Sequence, residues 1–595
     1  MNKIKIIFLL SIFLASTIFF LQILKSGNNL GVQDWDQNFA WGEVTRKTIQ
    51  EYRQFPFWNP FKCGGSVQFG NPEISVISFK TLFILIAGTV MGTKISIVFY
   101  SVFGFVGFYL LSKQYGLSKF GAIFASTIFS YSGITASYLS TGMVVFMNIT
   151  HAPYVLYFLK KAEDRKANLI LAAFFLALSY YFEYHIPLLL IIYLVIYYSF
   201  KSLVERKIKP LFHLLLLLVL FTIMAAPKLV LSLHLYSKSE VIYQPQSGYR
   251  IQDIPYFLLS KNQEITTSLE DRGYTFHIDE ISLYTGIIPV TTFLFFFIKN
   301  KSGVKKYAPL LLSLLIIFWL MLGIKITPSL YSKLKTFPIF ESFRVSQRFR
   351  FDFLIPFSLV AGLGFDRILS KLKNTKAKYF LSSIVILTVY LNLSTFATNN
   401  FLKYSLIIKN IGFEDDTGDF YQKKSLKKSV ILEYLSNSLP NNFQGKSTFI
   451  PWSYEYIAVK NMVGIIECSD VITPDTNTKA INDVNYLGEW YTTSNLRKIT
   501  LKKWSPNEIV LTLLNPNVEM SDDTLVLNQN YYPGWYVSID GSPLILAENH
   551  NLLLATPLGG KESEIKFKYL PYKYIVDRSK IWLINYFNSS FLLNS

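Results

Sequence analysis

Residues 74–92, ISVISFKTLFILIAGTVMG, form an apolar stretch whose status sets the side of every connection that follows it. Eleven other stretches are apolar over lengths that suit a membrane helix: 6–24, 95–112, 120–139, 143–159, 168–182, 186–200, 210–230, 282–298, 307–324, 351–366 and 379–396. The connections between them alternate in charge. Every second one is basic: Lys113/Lys119, Lys160/Lys161/Arg165/Lys166, Lys201/Arg206/Lys207/Lys209, Lys299/Lys301/Lys305/Lys306 and Arg367/Lys371/Lys373/Lys376/Lys378. Short basic loops stay in the cytoplasm. If 74–92 crossed the bilayer, all of these would land outside. If it lies in the outer interface or re-enters, all fall inside with Lys3 and Lys5, and this second arrangement is the expected one. Residues 6–24 look like a signal peptide behind those two lysines, but the apolar run is long enough for a full span, so an uncleaved first helix is expected.

Composition agrees. Of 595 residues 51% are hydrophobic and the mean hydropathy is +0.31, too apolar for a soluble protein of this size. The 51 Phe and 38 Tyr suit rings at headgroup depth and lipid-facing packing. A net charge of +19 on a soluble chain would point to nucleic acid. Here the six basic blocks hold 21 basic residues against four acidic ones (Glu163, Asp164, Glu205 and Asp366), and so carry +17 of that charge. The basicity reports orientation against membrane lipids, with no nucleic-acid partner. Cys63 and Cys468 offer no metal-ligand spacing. Both fall in segments expected outside, where one disulfide is open to them.

The expected fold is a polytopic α-helical membrane protein: about eleven transmembrane helices plus a re-entrant or interfacial helix within residues 1–398, with outer loops 25–94, 231–281 and 325–350. Residues 399–595 change character and read as an extracytoplasmic α+β domain. A helix is expected over Lys424–Leu439. Alternating runs at Lys498–Lys503, Glu508–Leu514, Thr524–Asn528, Trp535–Ile539 and Glu564–Tyr569 predict strands of a small antiparallel β-sandwich. Asp540-Gly541 marks a hairpin turn, because glycine tolerates the positive φ such turns require. Residues 581–595 hold too many Asn and Ser to span.

The first outer loop holds Asp34-Trp35-Asp36-Gln37 soon after the first helix. A carboxylate held just above the membrane serves as a general base by taking a hydroxyl proton, or offers hard oxygen ligands to a divalent cation. Asp34 and Asp36 are therefore the candidate catalytic residues and the candidate ligands of any metal; a solvated loop with a helix cap at Asp36 is the other reading. Beyond them, Phe55-Pro56-Phe57-Trp58-Asn59-Pro60-Phe61, Gly64-Gly65 and Phe69-Gly70-Asn71-Pro72 make a dense Pro/Gly/aromatic stretch shaped for something, with Trp58 and Asn59 as supporting residues. Glu183 and His185 sit in a tight outer turn between two spans. Ionisable residues at membrane depth are costly and raise a functional hypothesis, although these two can also pair with each other. Arg344, Arg348 and Arg350 precede an outer-entering span, where guanidinium groups either bind phosphate bidentately or anchor the interface. Asp279 and Glu280 fall at an outer helix end, and His151 in the outer half of its span. No Gly-rich phosphate loop, His-Glu-x-x-His pair or nucleophile elbow is present.

The order of first helix, Asp-x-Asp, Pro-x-Trp-Asn-Pro, Gly-Gly and Asn-Pro resembles the YfhO-like bacterial membrane proteins of the GT-C glycosyltransferase superfamily. Two later stretches look similar to the same family: Phe343-Arg344-Val345-Ser346-Gln347-Arg348-Phe349, leading to Gly362-Leu363-Gly364-Phe365-Asp366-Arg367, and Tyr531-Tyr532-Pro533-Gly534-Trp535 followed by Asp540-Gly541. Relatives often show Gly-His-Pro at the outer turn, where this chain has Glu183-Tyr184-His185-Ile186-Pro187. The resemblance implies a GT-C-like membrane domain in the plasma (inner) membrane, with the N-terminus cytoplasmic. It implies a polyprenyl-phosphate-linked sugar as donor and transfer, with inversion, to an envelope glycan, polymer such as teichoic acid, or lipid acceptor on the outer face. Asp34 or Asp36 would then be the base or metal ligand, and Arg344, Arg348 or His185 would hold the donor phosphate, with Glu183 in support. The alternative is a non-enzymatic lipid-intermediate flippase or envelope-assembly scaffold of the same fold.

Overall fold

A computed structural model describes the chain except residues 1–2, 26–33, 238–239, 242–246, 264–273, 275–277, 338–339, 341–342, 344, 405–423, 427–453, 461, 467–471, 474–476, 480–482, 515–522, 559–563 and 581–595. The chain forms two compact units. One comprises Met1–Asn38, Ile77–Ala226 and Tyr243–Ile407; the other comprises Phe39–Val76, Pro227–Ile242 and Ile408–Ser595. The division is discontinuous, where the sequence reading drew one boundary between 398 and 399. The reason is that the Pro/Gly/aromatic stretch after residue 54 supplies core side chains to the C-terminal sheets.

The first unit is helical. Among the described residues, five helices are long and apolar enough to cross a membrane: Thr89–Gln114, His185–Glu205, Lys209–Tyr236, Ser346–Ser370 and Thr375–Leu402. Shorter apolar helices occur at Lys5–Phe19, Asn168–Phe182, Ile287–Phe297 and Ala308–Met321. The Ser346–Ser370 helix is mostly buried, whereas Thr375–Leu402 turns Phe380, Ile384, Leu387 and Leu391 outward, as a lipid-facing helix should. The decisive stretch resolves into two pieces. Phe79–Ala87 is a nine-residue helix, about 13 Å long and less than half the hydrocarbon thickness, so it cannot span. It ends at Gly88 and folds back on the Thr89 helix, packed so closely that a Cβ on Gly92 would lie 2.4 Å from the Phe83 carbonyl oxygen.

Two expected spans are broken. Residues 120–139 divide into Lys119–Tyr131 and Gly133–Ser140, with Ser132 extended between them and the Gly133 amide donating to the Tyr284 carbonyl at 2.7 Å. Residues 143–159 start as a 3-10 helix, Val144–His151, and become α-helical at Ala152–Lys161. Non-α backbone at membrane depth is tolerated only where protein or a cavity satisfies it, and these segments are almost wholly buried.

The basic connections meet at one end of this unit. Lys160 lies over the Tyr115 ring at 3.8 Å, Lys201 pairs with Glu163, the Tyr307 hydroxyl donates to the Tyr115 carbonyl at 2.8 Å, the Ser118 amide donates to Asp366 at 2.6 Å, and Arg367 donates to the Lys299 carbonyl at 2.9 Å. These contacts join all five connections that the charge pattern grouped together.

The second unit is built on two antiparallel sheets. In one, Glu548–His550, Leu553–Leu558, Asp523–Asn530 and Trp490–Thr492 lie side by side; in the other, Ile545–Leu546, Trp535–Ile539, Glu564–Tyr569, Glu508–Leu514 and Lys498–Ser505. Every strand expected from alternation is present. Asp540 and Gly541 have φ of 46° and 76°, and the Ser542 amide donates to the Ile539 carbonyl at 2.9 Å, the tight turn their sequence indicates. The helix expected over Lys424–Leu439 is not borne out at its start. Lys424–Leu426 is a strand paired in parallel with Val463–Ile465, and the remainder lies outside the described residues. Cys63 is disulfide-bonded, and the chain's one other cysteine is Cys468, itself outside the described residues.

Candidate active site at one end of the helical unit

Asp34 and Asp36 occupy the first turn of the helix Asp34–Gln50, where carboxylates are favoured by the helix dipole. Asp34 is half-buried and Asp36 is 2% exposed. The helix start is docked on the turn that ends the Gly133–Ser140 helix. The Asp34 amide donates to the Thr141 carbonyl at 3.0 Å, the Trp35 indole to the Ser140 carbonyl at 3.4 Å, and the Asn38 amide group to the Gly142 carbonyl at 2.9 Å. Gly142 has φ of +89°, and a Cβ there would lie 2.1 Å from the Trp35 nitrogen.

From this turn the chain enters the 3-10 helix Val144–His151, which carries the other candidates. Asn148 donates to the carbonyls of Ser179 at 2.8 Å and Glu183 at 3.0 Å, fixing the tight turn. Glu183, fully buried, accepts from the His185 ring and from the backbone amides of His185 at 2.6 Å and Ile186 at 3.3 Å. It therefore caps the His185–Glu205 helix and pairs with His185, the mutual pairing weighed for these two residues. The Phe146 ring lies between His185, centroids 6.2 Å apart, and the Arg348 guanidinium at 5.0 Å.

Arg348 forks on Glu280, its Nε donating to Oε1 at 3.0 Å and to Oε2 at 3.3 Å. Arg350, fully buried, donates to the Asp279 carbonyl and lies 3.9 Å from Glu280. Arg344 lies outside the described residues. Asp279 is buried, with one carboxyl oxygen unpartnered among the described residues. Burial and the neighbouring Glu280 push its carboxyl up to about 7, against the lowering effect of Arg350 and Arg348.

Trp58 and Asn59 do not join this cluster. Trp58, fully buried, packs on Tyr569 and Trp535 with centroids at 4.9 and 5.5 Å in the second unit's core, and Asn59 accepts from the Phe61 amide at 2.9 Å. Their role is to seat the 58–67 hairpin in the core beside the sheets. Among the described residues no group of three or more His, Cys, Asp or Glu is placed to hold a metal ion. Asp34 and Asp36 remain the pair that would ligate one.

Sequence reasoning missed Lys80, although it lies in the stretch quoted first. It is 2% exposed; its ammonium is 3.5 Å from the Asn38 side-chain oxygen and 5.7 Å from the centre of the Phe182 ring, and no carboxylate among the described residues pairs with it. A charge inside an apolar run was the visible signal. Burial lowers the Lys80 ammonium to about 7, and, when protonated, a buried lysine with no carboxylate partner among the described residues, between the Asp34 helix and the Phe182–Glu183 turn, is suited to an anionic ligand.

No family model matches the chain, and no curated protein is similar to it in sequence. Solved structures are similar only loosely. They include the arabinofuranosyltransferase AftD from Mycobacteria (15% identity, TM-score 0.40, covering 66% of this chain and 27% of that one) and ArnT from Cupriavidus metallidurans. ArnT appears in the apo state (10%, 0.39, 67% and 75%) and bound to undecaprenyl phosphate (10%, 0.39, 78% and 90%). This chain thus spans about a quarter of the AftD chain's length. Likeness at this level carries no argument about activity.

Proposed function

We propose that this protein is a membrane glycosyltransferase that moves a sugar from a polyprenyl-phosphate donor to an envelope polymer or lipid acceptor on the outer face of the plasma membrane. One observation carries the reading: an acidic helix start, a Glu–His turn and an arginine gather on the turn and 3-10 helix spanning residues 140–151, at the end of the helical unit away from the basic connections, and a buried lysine with no carboxylate partner among the described residues reaches Asn38 of that helix start. In this reading Asp34 or Asp36 takes the proton of the acceptor hydroxyl, which attacks the anomeric carbon while the lipid phosphate leaves. Lys80 holds that phosphate as its charge develops, with His185 beside it. Arg348 would contribute only by partly releasing Glu280.

Asp34→Asn and Asp36→Asn, made singly, test this. At least one should lower transfer of the lipid-linked sugar by about a hundredfold or more with the protein still abundant in the membrane. Lys80→Met should weaken donor binding more than turnover. Unchanged envelope glycan in both Asp variants would leave the flippase or scaffold reading. That reading is favoured by the completeness with which Glu183 and Arg348 are already satisfied.

A further inference from the structure

The Lys209–Tyr236 helix turns an apolar stripe outward. Phe212, Leu215, Val219, Ile223, Val230 and Leu233 share one face at helical spacing, and all are exposed. From Phe212 to Leu233 the helix rises about 32 Å, close to the roughly 30 Å of a hydrocarbon layer. Lys209 belongs to the basic connections. The far end of the stripe, at Val230 and Leu233, therefore falls where hydrocarbon gives way to headgroups in the other leaflet.

At that depth a second helix, residues 571–580, packs on the first, and both segments belong to the second unit. The Tyr572 hydroxyl donates to the Pro227 carbonyl at 2.9 Å, and the Tyr574 and His234 rings lie 5.4 Å apart. An open cleft of about 320 Å³ runs between the helices, lined by Val230, His234, Tyr574, Ile575, Arg578 and Ser579. Its walls divide by chemistry. Val230 and Ile575 continue the lipid-facing stripe, and Val576 beside them is 51% exposed. Arg578 stands exposed at the polar rim, its Nε donating to the Tyr574 hydroxyl at 3.2 Å, and among the described residues nothing accepts from its two terminal amino groups. No carboxylate lines the cleft among the described residues. Asp577, next in sequence, is engaged by Lys573 at 2.6 Å and by the Tyr536 hydroxyl at 2.7 Å.

We propose that this cleft binds the headgroup of an anionic glycerophospholipid from the leaflet away from the basic connections. The terminal amino groups of Arg578 take the lipid phosphate in two parallel hydrogen bonds, the pairing a guanidinium favours. The acyl chains follow Val230, Leu233 and Val576 into the bilayer, where the apolar stripe already meets lipid. Tyr572 and Tyr574 sit at the depth where tyrosines gather in membrane proteins. Free phosphate would leave the apolar wall in water, so the lipid is the better occupant. A zwitterionic lipid brings an ammonium group that Arg578 repels and no lining carboxylate receives. Binding here is independent of glycosyl transfer, and it clasps the 571–580 helix to the end of the span.

The test is native mass spectrometry of the full-length protein, released from detergent with dioleoyl phosphatidylglycerol and dioleoyl phosphatidylcholine at equal concentration. Wild type should retain one phosphatidylglycerol in preference to phosphatidylcholine, and excess inorganic phosphate should not displace it. Arg578→Gln should lower phosphatidylglycerol retention about fivefold, the effect of one cation at a membrane surface. Val230→Trp, which keeps the arginine and fills the cleft, should lower it as well. Lys498→Gln, which removes an exposed charge from a strand outside the cleft, should retain the lipid like wild type. Equal retention of the two lipids by wild type, undiminished retention by Arg578→Gln or Val230→Trp, or an equal loss in Lys498→Gln would overturn the proposal. Displacement by inorganic phosphate would overturn it too, by making the site one for the free anion.

Discussion

Arg348 and Glu280 are each under a tenth exposed, and their forked pairing decides what either can do. Removing one partner of a buried pair leaves an uncompensated charge, which costs more than the pair contributes. Glu280→Gln should therefore destabilise the detergent-solubilised protein by about 3 kcal/mol, while Arg348→Met with Glu280→Leu should recover most of the loss. Equal destabilisation by the single and double variants would show that the charges do not depend on each other. Asp279, next in the chain, has the opposite character. Its carboxyl titrates near 7 when folded against 3.8 ordinarily, so the folded state holds the proton over the interval between. Stability is highest below pH 3.8 on this account, falls as pH rises toward 7 and is flat above it. Asp279→Asn should remove that fall and raise the thermal midpoint at pH 8 but not at pH 4; a variant that shifts the midpoint equally at both would refute the assignment.

The helix starting at Asp34 is held by a turn, and the turn by one glycine. Gly142 combines φ of +89° with a close approach of the Trp35 nitrogen, so Gly142→Ala is strained in its backbone and collides with the helix it should support. Displacing a catalytic group by about 1 Å can cost about a hundredfold in rate. Gly142→Ala should lower sugar transfer on that scale while leaving the unfolding of the C-terminal sheets, followed by hydrogen exchange, unchanged; full activity would mean the acidic turn need not sit there. This element also shows what the sequence could and could not convey. The strands of the C-terminal sheets were legible because alternation and an Asp-Gly turn are local signals. The breaks at Ser132 and in Val144–His151 were not, because they depend on partners far along the chain, such as the Tyr284 carbonyl that takes the Gly133 amide. Asp34, Asp36, Glu183, His185 and Arg348 stand out in the sequence as unusual residue types at expected outer ends, and the structure brings them near one turn without testing their roles. Lys80 was passed over because the apolar run around it was read for length alone. Trp58 was misplaced because an aromatic cluster in a loop reads alike whether it lines a site or fills a core.

At the scale of the whole molecule, the question is which side of the membrane each end faces. The basic connections are spread over more than 250 residues of sequence, yet the structure joins them at one end of the helical unit. Lysines and arginines in short loops stay on the cytoplasmic side. The disulfide at Cys63 gives an independent indication, because such bonds persist in oxidising compartments and are rare in the cytosol. In the proposed orientation the basic connections face the cytoplasm and Cys63 an oxidising compartment. Single cysteines introduced in place of the exposed Asp164 and Lys502 should therefore behave differently toward a membrane-impermeant maleimide. On intact cells position 502 should label and position 164 should not, until the membrane is permeabilised. Labelling at 164 in intact cells would invert the orientation, put the acidic helix start on the cytoplasmic side, and remove the physical basis for transfer on the outer face.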